Sequence, residues 1–260
     1  MSAPEDLHEL SRLAAELAVE AGRLLTGGLD AARTGLATKT SSTDMVSDID
    51  RASERLIDQR LCELRPDDGI VGEEGASRPG TSGVSWIIDP LDGTTNYLYG
   101  FPAFAVSIAA AVDDMVVAGA VHDPTHGETF VGALGGGATC NGRPLRVEGP
   151  PSLATALVGT GFSYDADRRR RQASILPRLL PVVRDIRRAG AASLDLCWMA
   201  AGRLDAYYEH GLQPWDWAAG ELVASEAGAR CGVLADGTRV VAPPQLFDDL
   251  VELVARDEQS

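Results

Sequence analysis

The segment Trp86-Ile87-Ile88-Asp89-Pro90-Leu91-Asp92-Gly93-Thr94-Thr95-Asn96 delivers two carboxylates at the end of an apolar, strand-like run. Pro90 stiffens the turn between them. Gly93-Thr94-Thr95 reads as a helix start, where free backbone N–H groups and the positive end of the helix dipole attract an anion. Carboxylates beside an anion site repel a phosphate unless cations lie between them. The segment therefore implies bound Mg²⁺, which pairs one or two carboxylates with phosphate oxygens. Alone, it reads equally well as an Asx turn with a helix N-cap. Two further acidic segments shift that balance. Gly72-Glu73-Glu74-Gly75 follows the short apolar strand Ile70-Val71, and Trp215-Asp216-Trp217 sets an aspartate at the start of a helix running from Trp217. Taken singly, Asp216 is an N-cap and Glu73 or Glu74 a solvated loop charge.

Together and in this order, the three segments resemble the inositol monophosphatase family of Mg²⁺-dependent, lithium-sensitive phosphomonoesterases. The resemblance spans nearly the whole chain, with support from Asp44 to Asp50 and from Ala206-Tyr207-Tyr208-Glu209. It implies an α+β, α/β fold, a layered αβαβα sandwich of the sugar-phosphatase type, with the carboxylates where its two parts meet and a homodimeric assembly. It also implies that Glu73, Asp89 and the Leu91 carbonyl bind a first Mg²⁺, and that Asp89, Asp92 and Asp216 bind a second. A weaker third ion belongs near a loop at Lys39. Glu73 and Thr94 are implied to orient the attacking water, with Asp50 holding Thr94. The N–H groups of Gly93 and Thr94 cradle the phosphate, Glu209 bonds substrate hydroxyls, and Gly190 to Ala192 line the pocket, with Ser163 a weaker candidate. Trp217 is bulkier than the family's usual neighbour of that aspartate and is expected to narrow the pocket.

The chemistry so implied is direct attack of water on a phosphate monoester, with metals and backbone donors offsetting charge on the phosphoryl oxygens. Haloacid-dehalogenase phosphatases also place aspartates after an apolar strand, but as Asp-x-Asp with a nucleophilic first aspartate; the spacing here is Asp-x-x-Asp. Relatives act on inositol phosphates, fructose 1,6-bisphosphate, histidinol phosphate or 3′-phosphoadenosine phosphates. Glu209, placed to grip a polyol, favours inositol 1-phosphate. Some bacterial relatives act in ribosomal RNA transcription complexes, so the alternatives are a phosphatase for one of the other metabolites and a regulatory protein of ribosomal RNA transcription.

Several elements must position these residues. Leu7, Leu10, Leu13, Leu17, Ala21 and Leu24 recur at helical spacing after a capping pattern at Ser2, Pro4 and Glu5, which predicts a helix ending at Gly27-Gly28. A second helix is expected from about Ser47 to Leu64. Strands follow at 86–88, 105–112, 116–121 and 129–134, joined by tight turns at Asp113-Asp114 and 124–127. Gly149-Pro150-Pro151-Ser152 marks the expected junction between an N-terminal α+β domain (1–149) and a C-terminal α/β domain (150–260). In that second part helical and strand-like segments alternate, including a helical stretch over 168–180 and a closing helix at 246–255.

The 260 residues carry a formal charge of −15, which disfavours direct nucleic-acid binding. No apolar run approaches the ~20 residues of a membrane span, and the acidic N-terminus lacks signal-peptide character, so a cytoplasmic protein without membrane association is expected. Cys62, Cys140, Cys197 and Cys231 are too scattered for a zinc or disulfide framework. His122 and His126 flank a turn at Pro124, and Gly135-Gly136-Gly137 reads as a hairpin turn. The run Arg168 to Arg171 reads as a solvated helix face, with an anion or protein contact the minority reading.

Overall fold

The computed structural model describes residues 7–35 and 42–255. Two long helices open the chain, α1 (Leu7–Gly35) and α2 (Ser42–Leu64). Strands β1 (Gly69–Gly72), β2 (Ser77–Arg78) and β3 (Val84–Asp92) precede the short helix α3 (Thr94–Tyr99). The meander β4 (Ala105–Val112), β5 (Met115–Asp123), β6 (Glu128–Ala133), β7 (Gly137–Cys140) and β8 (Arg143–Pro144) completes an eight-stranded sheet in the order β2-β1-β3-β4-β5-β6-β7-β8. Its hairpins turn at Asp113 and Asp114, both at positive φ, and at Gly127.

The second sheet uses β9 (Leu157–Thr160), β10 (Asp185–Arg187), β11 (Ala206–His210), β12 (Arg230–Val233) and β13 (Thr238–Ala242), in the order β10-β9-β11-β13-β12. Between these strands run α4 (Ala166–Ala173), α5 (Leu176–Leu179), α6 (Ala192–Ala200) and α7 (Pro214–Glu226), and α8 (Pro244–Val254) closes the fold.

The layers follow from which faces are apolar. The stripe Leu10, Leu13, Ala14, Leu17, Ala18, Ala21 and Leu25 of α1, with Ile57 and Leu61 of α2, is buried against Trp86, Ile88, Ile108 and Ala118 of the first sheet. That sheet's other face packs on α6 and α7 through Ala109, Val121, Leu194, Ala219 and Val223. The far face of the second sheet is covered by α5 and α8 through Val158, Tyr208, Leu179, Leu246 and Leu250. The result is the αβαβα sandwich that the resemblance implies. No helix among the described residues is long and apolar enough to cross a membrane.

Several elements differ from their sequence-based outlines. Helix α1 does not stop at Gly27-Gly28. A Cβ at Gly28 would lie 2.8 Å from the Tyr97 hydroxyl and 2.9 Å from Ile49 Cδ1, so this glycine permits close helix packing instead of ending the helix. Helix α2 begins at Ser42, earlier than Ser47, because its first turn carries too few apolar residues to mark a face. The stretch 168–180 divides into α4 and α5, with Pro177 in the first turn of α5. Helix α7 starts at Pro214, ahead of Trp217, since proline is well placed at a first helical position. Lys39 and the Ser2-Pro4-Glu5 cap lie outside the described residues.

Candidate active site

Asp89 and Asp92 are three residues apart, a spacing that would point them to opposite faces of a regular strand. The β3–β4 register corrects this. Asp89 pairs with Ser107 but Asp92 pairs with Ala105, so one extra residue is accommodated on β3 around Pro90 and Leu91. Both carboxylates consequently line one pocket of about 510 Å³ with Glu73, the Leu91 segment, Gly93, Thr94, Ala192, Glu209 and Asp216. The bulge is braced from behind by α2, whose Ser53 hydroxyl donates to the Pro90 carbonyl at 2.9 Å. The Leu91 N–H donates to Asp89 Oδ1 at 3.0 Å.

Glu73 emerges where β1 ends beside β3, its N–H donating to the Ile88 carbonyl at 3.2 Å. The buried Glu54 carboxylate fixes this loop by accepting from the N–H groups of Glu74 and Ala76, each at 3.0 Å. Asp216 enters from α7. As the third residue of that helix, it accepts the Gln213 N–H at 2.6 Å in a capping box. Asp92 is gripped by α6: its Oδ2 accepts the Ser193 N–H at 2.8 Å and the Ser193 hydroxyl at 2.6 Å. Glu54, Ser53 and Ser193 are support residues that the sequence reading missed.

Gly93 lets the chain turn from β3 into α3. Its φ is 89°, and a Cβ there would lie 2.8 Å from the Ala103 carbonyl oxygen. Opposite, Glu209 at the end of β11 accepts the Tyr207 hydroxyl and packs directly over Gly161, where any side chain would collide with its carboxylate. Gly190, Ala192 and Ser163 also line the pocket.

Two implied details differ. Trp217 does not line or narrow the pocket; the Arg239 guanidinium stacks on its ring 3.3 Å from the centroid, and Trp215 faces the pocket in its place. Asp50 does not hold Thr94. The Thr94 hydroxyl donates to the Leu91 carbonyl at 3.2 Å, while Asp50 is buried behind the pocket wall with Oδ1 unpartnered. Arg168 and Arg188 both stand at the pocket, and the run 168–171 is solvent-exposed along its length, as expected. Gly135 to Gly137 form the β6–β7 turn, whose N–H groups at Gly135 and Gly137 donate to Glu226.

The acidic wall is charge-frustrated. Burial first, then Glu73, Asp92 and Asp216, push the Asp89 carboxyl well above its ordinary value. Burial likewise raises Glu73, against a hydrogen bond with Asp89 that lowers it, and raises Asp92 against the Ser193 donors. Asp216 is raised by burial. Asp50 is pushed up to about 8 by burial and by Glu74, Glu73 and Glu54. Among the described residues no three acidic, histidine or cysteine side chains stand close enough together, as placed, to hold a metal ion. The donor set nevertheless fits a hard divalent cation. Its acidic wall offers carboxylate and carbonyl oxygens, the chemistry Mg²⁺ prefers, and a cation there would offset the repulsion that raises these groups.

A second cleft, about 630 Å³, lies across α6 and is lined largely by apolar groups such as Phe101, Trp198 and Leu204. Lacking a comparable carboxylate set, it is not where this chemistry resides.

The family model for the inositol monophosphatase family matches residues 6–253. The chain belongs to that family. The inositol-1-monophosphatase of Mycobacterium bovis is 44% identical over 95% of this chain and 93% of its own length. A Pasteurella multocida relative named Nus factor SuhB is 36% identical over 95% and 96%. The solved structure of Mycobacterium tuberculosis SuhB superposes with a TM-score of 0.86 at 43% identity, covering 96% of this chain and 97% of that one.

Proposed function

We propose that this chain is a Mg²⁺-dependent phosphomonoesterase that hydrolyses inositol 1-phosphate to myo-inositol and phosphate. The observation that carries this reading is the meeting in one pocket of Glu73, Asp89, Asp92 and Asp216 with the Gly93-Thr94 turn and, facing them, Glu209. In this reading Glu73, Asp89 and the Leu91 carbonyl hold one Mg²⁺, and Asp89, Asp92 and Asp216 hold another. When bound, such ions lower the pKa of water and neutralise charge on the transferring phosphoryl group.

The chain's own residues do the rest. Glu73 and the Thr94 hydroxyl orient the attacking water, and Glu73 accepts its proton. The N–H groups of Gly93 and Thr94 point at the phosphoryl oxygens, and Ala192 closes the pocket wall. Glu209 bonds the hydroxyls of the leaving polyol; burial and the nearby Asp92 and Asp216 hold its pKa at about 7 against the Tyr207 hydrogen bond, which lowers it. Asp50, raised to about 8 by burial and its acidic neighbours, keeps its proton near neutral pH behind the wall, and Thr94 is already partnered by Leu91.

Phosphate release from inositol 1-phosphate, fructose 1,6-bisphosphate, histidinol phosphate and 3′-phosphoadenosine 5′-phosphate tests the proposal, with and without Mg²⁺ and lithium. The expected result is Mg²⁺-dependent, lithium-inhibited release, greatest from inositol 1-phosphate and reduced at least about 100-fold in Asp89→Asn. Near-normal turnover by Asp89→Asn would remove the assigned metal role. Sedimentation of the same preparation checks the homodimer, and cell fractionation its cytoplasmic residence. The second reading, a regulatory protein of ribosomal RNA transcription, draws on the relative named a Nus factor. It takes first place if the folded protein releases phosphate from none of these substrates.

A further inference from the structure

Among the described residues three aromatic side chains are half or more exposed, Tyr99, Phe101 and Tyr164, and of these Tyr164 alone lines the acidic pocket. Phe162 and Trp215 also line it but are mostly buried in the protein. Tyr164 is 71% exposed, so most of its ring surface is left unpacked. Its hydroxyl nevertheless has a fixed partner: it meets Thr95 Oγ1 at 2.8 Å, on the second residue of α3 and just beyond the Gly93-Thr94 turn. An exposed tyrosine tied at its tip is a flat apolar surface held in place in water.

The backbone end of this side chain is held as well. The buried Gln172 side chain of α4 accepts the Ser163 N–H at 2.7 Å and donates to the His210 carbonyl at 2.9 Å, tying the loop before α4 to the end of β11. Arg169 reaches back from the same helix to donate to the Ser163 and Tyr164 carbonyls at 3.0 and 3.2 Å. Asp165 caps α4 by accepting the Arg168 N–H at 2.8 Å. Tyr164 therefore starts from a braced loop after β9 and ends on α3, bridging the two halves of the molecule at the pocket. Glu209, packed over Gly161 of the same loop, lines the same pocket. The site thus offers a leaving group both a carboxylate, which accepts hydroxyls, and an aromatic face, which does not.

A cyclic polyol with mostly equatorial hydroxyls has a rim of hydroxyl groups and faces of C–H bonds. Those C–H bonds are weakly positive and are attracted to the negative face of an aromatic ring. A ring surface fixed in advance also spares the ordering of a side chain on binding. We propose that Tyr164, positioned by Thr95, is a specificity-determining residue that stacks on the ring face of the leaving polyol while Glu209 takes hydroxyls at its rim. The proposal rests on the phosphomonoesterase reading and deepens it by separating recognition of the ring from recognition of its hydroxyls. An acyclic ester can satisfy Glu209 but has no face to lay against Tyr164.

The test uses inositol 1-phosphate and glycerol 2-phosphate, both secondary esters with hydroxyls on the neighbouring carbons, of which only the first has a ring. In the full-length protein, Tyr164→Ala should lower kcat/KM for inositol 1-phosphate about tenfold, mainly through KM, and that for glycerol 2-phosphate by less than about threefold. Tyr164→Phe keeps the ring and frees its tip, so its loss on inositol 1-phosphate should be smaller, about threefold. Thr95→Val should match it, and the two changes together should cost no more than either alone, since they break one hydrogen bond. Tyr99→Ala, which removes an exposed aromatic of α3 outside the pocket lining, should leave the ratio of the two substrates in place. Equal losses on both substrates in Tyr164→Ala, or no loss on either, would overturn the proposal. A loss in Tyr164→Phe as large as in Tyr164→Ala would assign the role to the hydroxyl and overturn the stacking. If neither ester is turned over, the phosphatase reading fails separately, and calorimetric binding of the same pair in Mg²⁺ decides. A Kd weakened in Tyr164→Ala for inositol 1-phosphate alone supports the stacking; an unchanged Kd, or no binding of inositol 1-phosphate by the unaltered protein, overturns it.

Discussion

Asp92 receives both the N–H and the hydroxyl of Ser193, and both bonds favour its ionised form. Removing the hydroxyl in Ser193→Ala should raise the Asp92 pKa further, so that a higher pH is needed before the carboxylate is available to a cation. The expected outcome is a Mg²⁺ requirement increased about tenfold near pH 6 and much less near pH 8, read from activity or from Mg²⁺ binding. An equal change at both pH values would mean that Ser193 only fills space. The acidic residues were legible in the sequence because each follows an apolar strand or opens a helix within a few positions. Ser193 was not, because its partner lies 101 residues earlier in the chain. The same holds for Glu54, which clamps a loop 20 residues onward, and for Gln172, whose acceptor is His210. The swap of Trp217 for Trp215 at the pocket was hidden for a related reason, since helical phase depends on where α7 starts.

At the scale of elements, the site requires a bulge near the end of β3 and a glycine just after β9. The bulge on β3 turns an unhelpful three-residue spacing into a shared face. Beyond β9, Gly161 leaves the space that the Glu209 carboxylate fills. Gly161→Ala should therefore displace Glu209 without touching the metal-binding wall. KM for inositol 1-phosphate is expected to rise about tenfold, with a change of less than about threefold for a featureless aryl phosphate. Matching losses on both substrates would show that the glycine supports the whole pocket and not the polyol contact. Strands and hairpins were readable because alternating apolar runs and turn residues are local signals. Helix ends were less so: Gly28 looks like a terminator but serves packing against Tyr97 and Ile49, a contact made through tertiary structure. The division of 168–180 followed from Pro177, a signal present in the sequence.

Across the whole molecule, the layered sandwich holds a cluster of acids whose charge the described protein atoms do not balance. Asp50 moves from 3.8 to about 8 on folding, and Glu73, Asp89 and Asp92 move in the same direction, each chiefly through burial. An acid whose pKa rises on folding binds more protons in the native state than in the unfolded chain. Its effect on stability is therefore unfavourable as pH climbs from the unfolded value through the folded one. Glu128, lowered by Arg203, has the opposite sign, but its contribution is lost only in stronger acid, below the ordinary carboxylate range. Without divalent cations, Tm should thus fall between about pH 5 and pH 8. A cation bound among the carboxylates favours their ionised forms and competes with protons, so Mg²⁺ should raise Tm more at about pH 8 than at about pH 5.5, flattening the profile. Thermal unfolding across that range, with Mg²⁺ or with a chelator, measures both slopes. An Mg²⁺-induced rise that is independent of pH would place the ion away from these acids, and Asp89→Asn, which removes one of the strained charges, should make the cation-free protein less sensitive to alkaline pH while weakening its response to Mg²⁺.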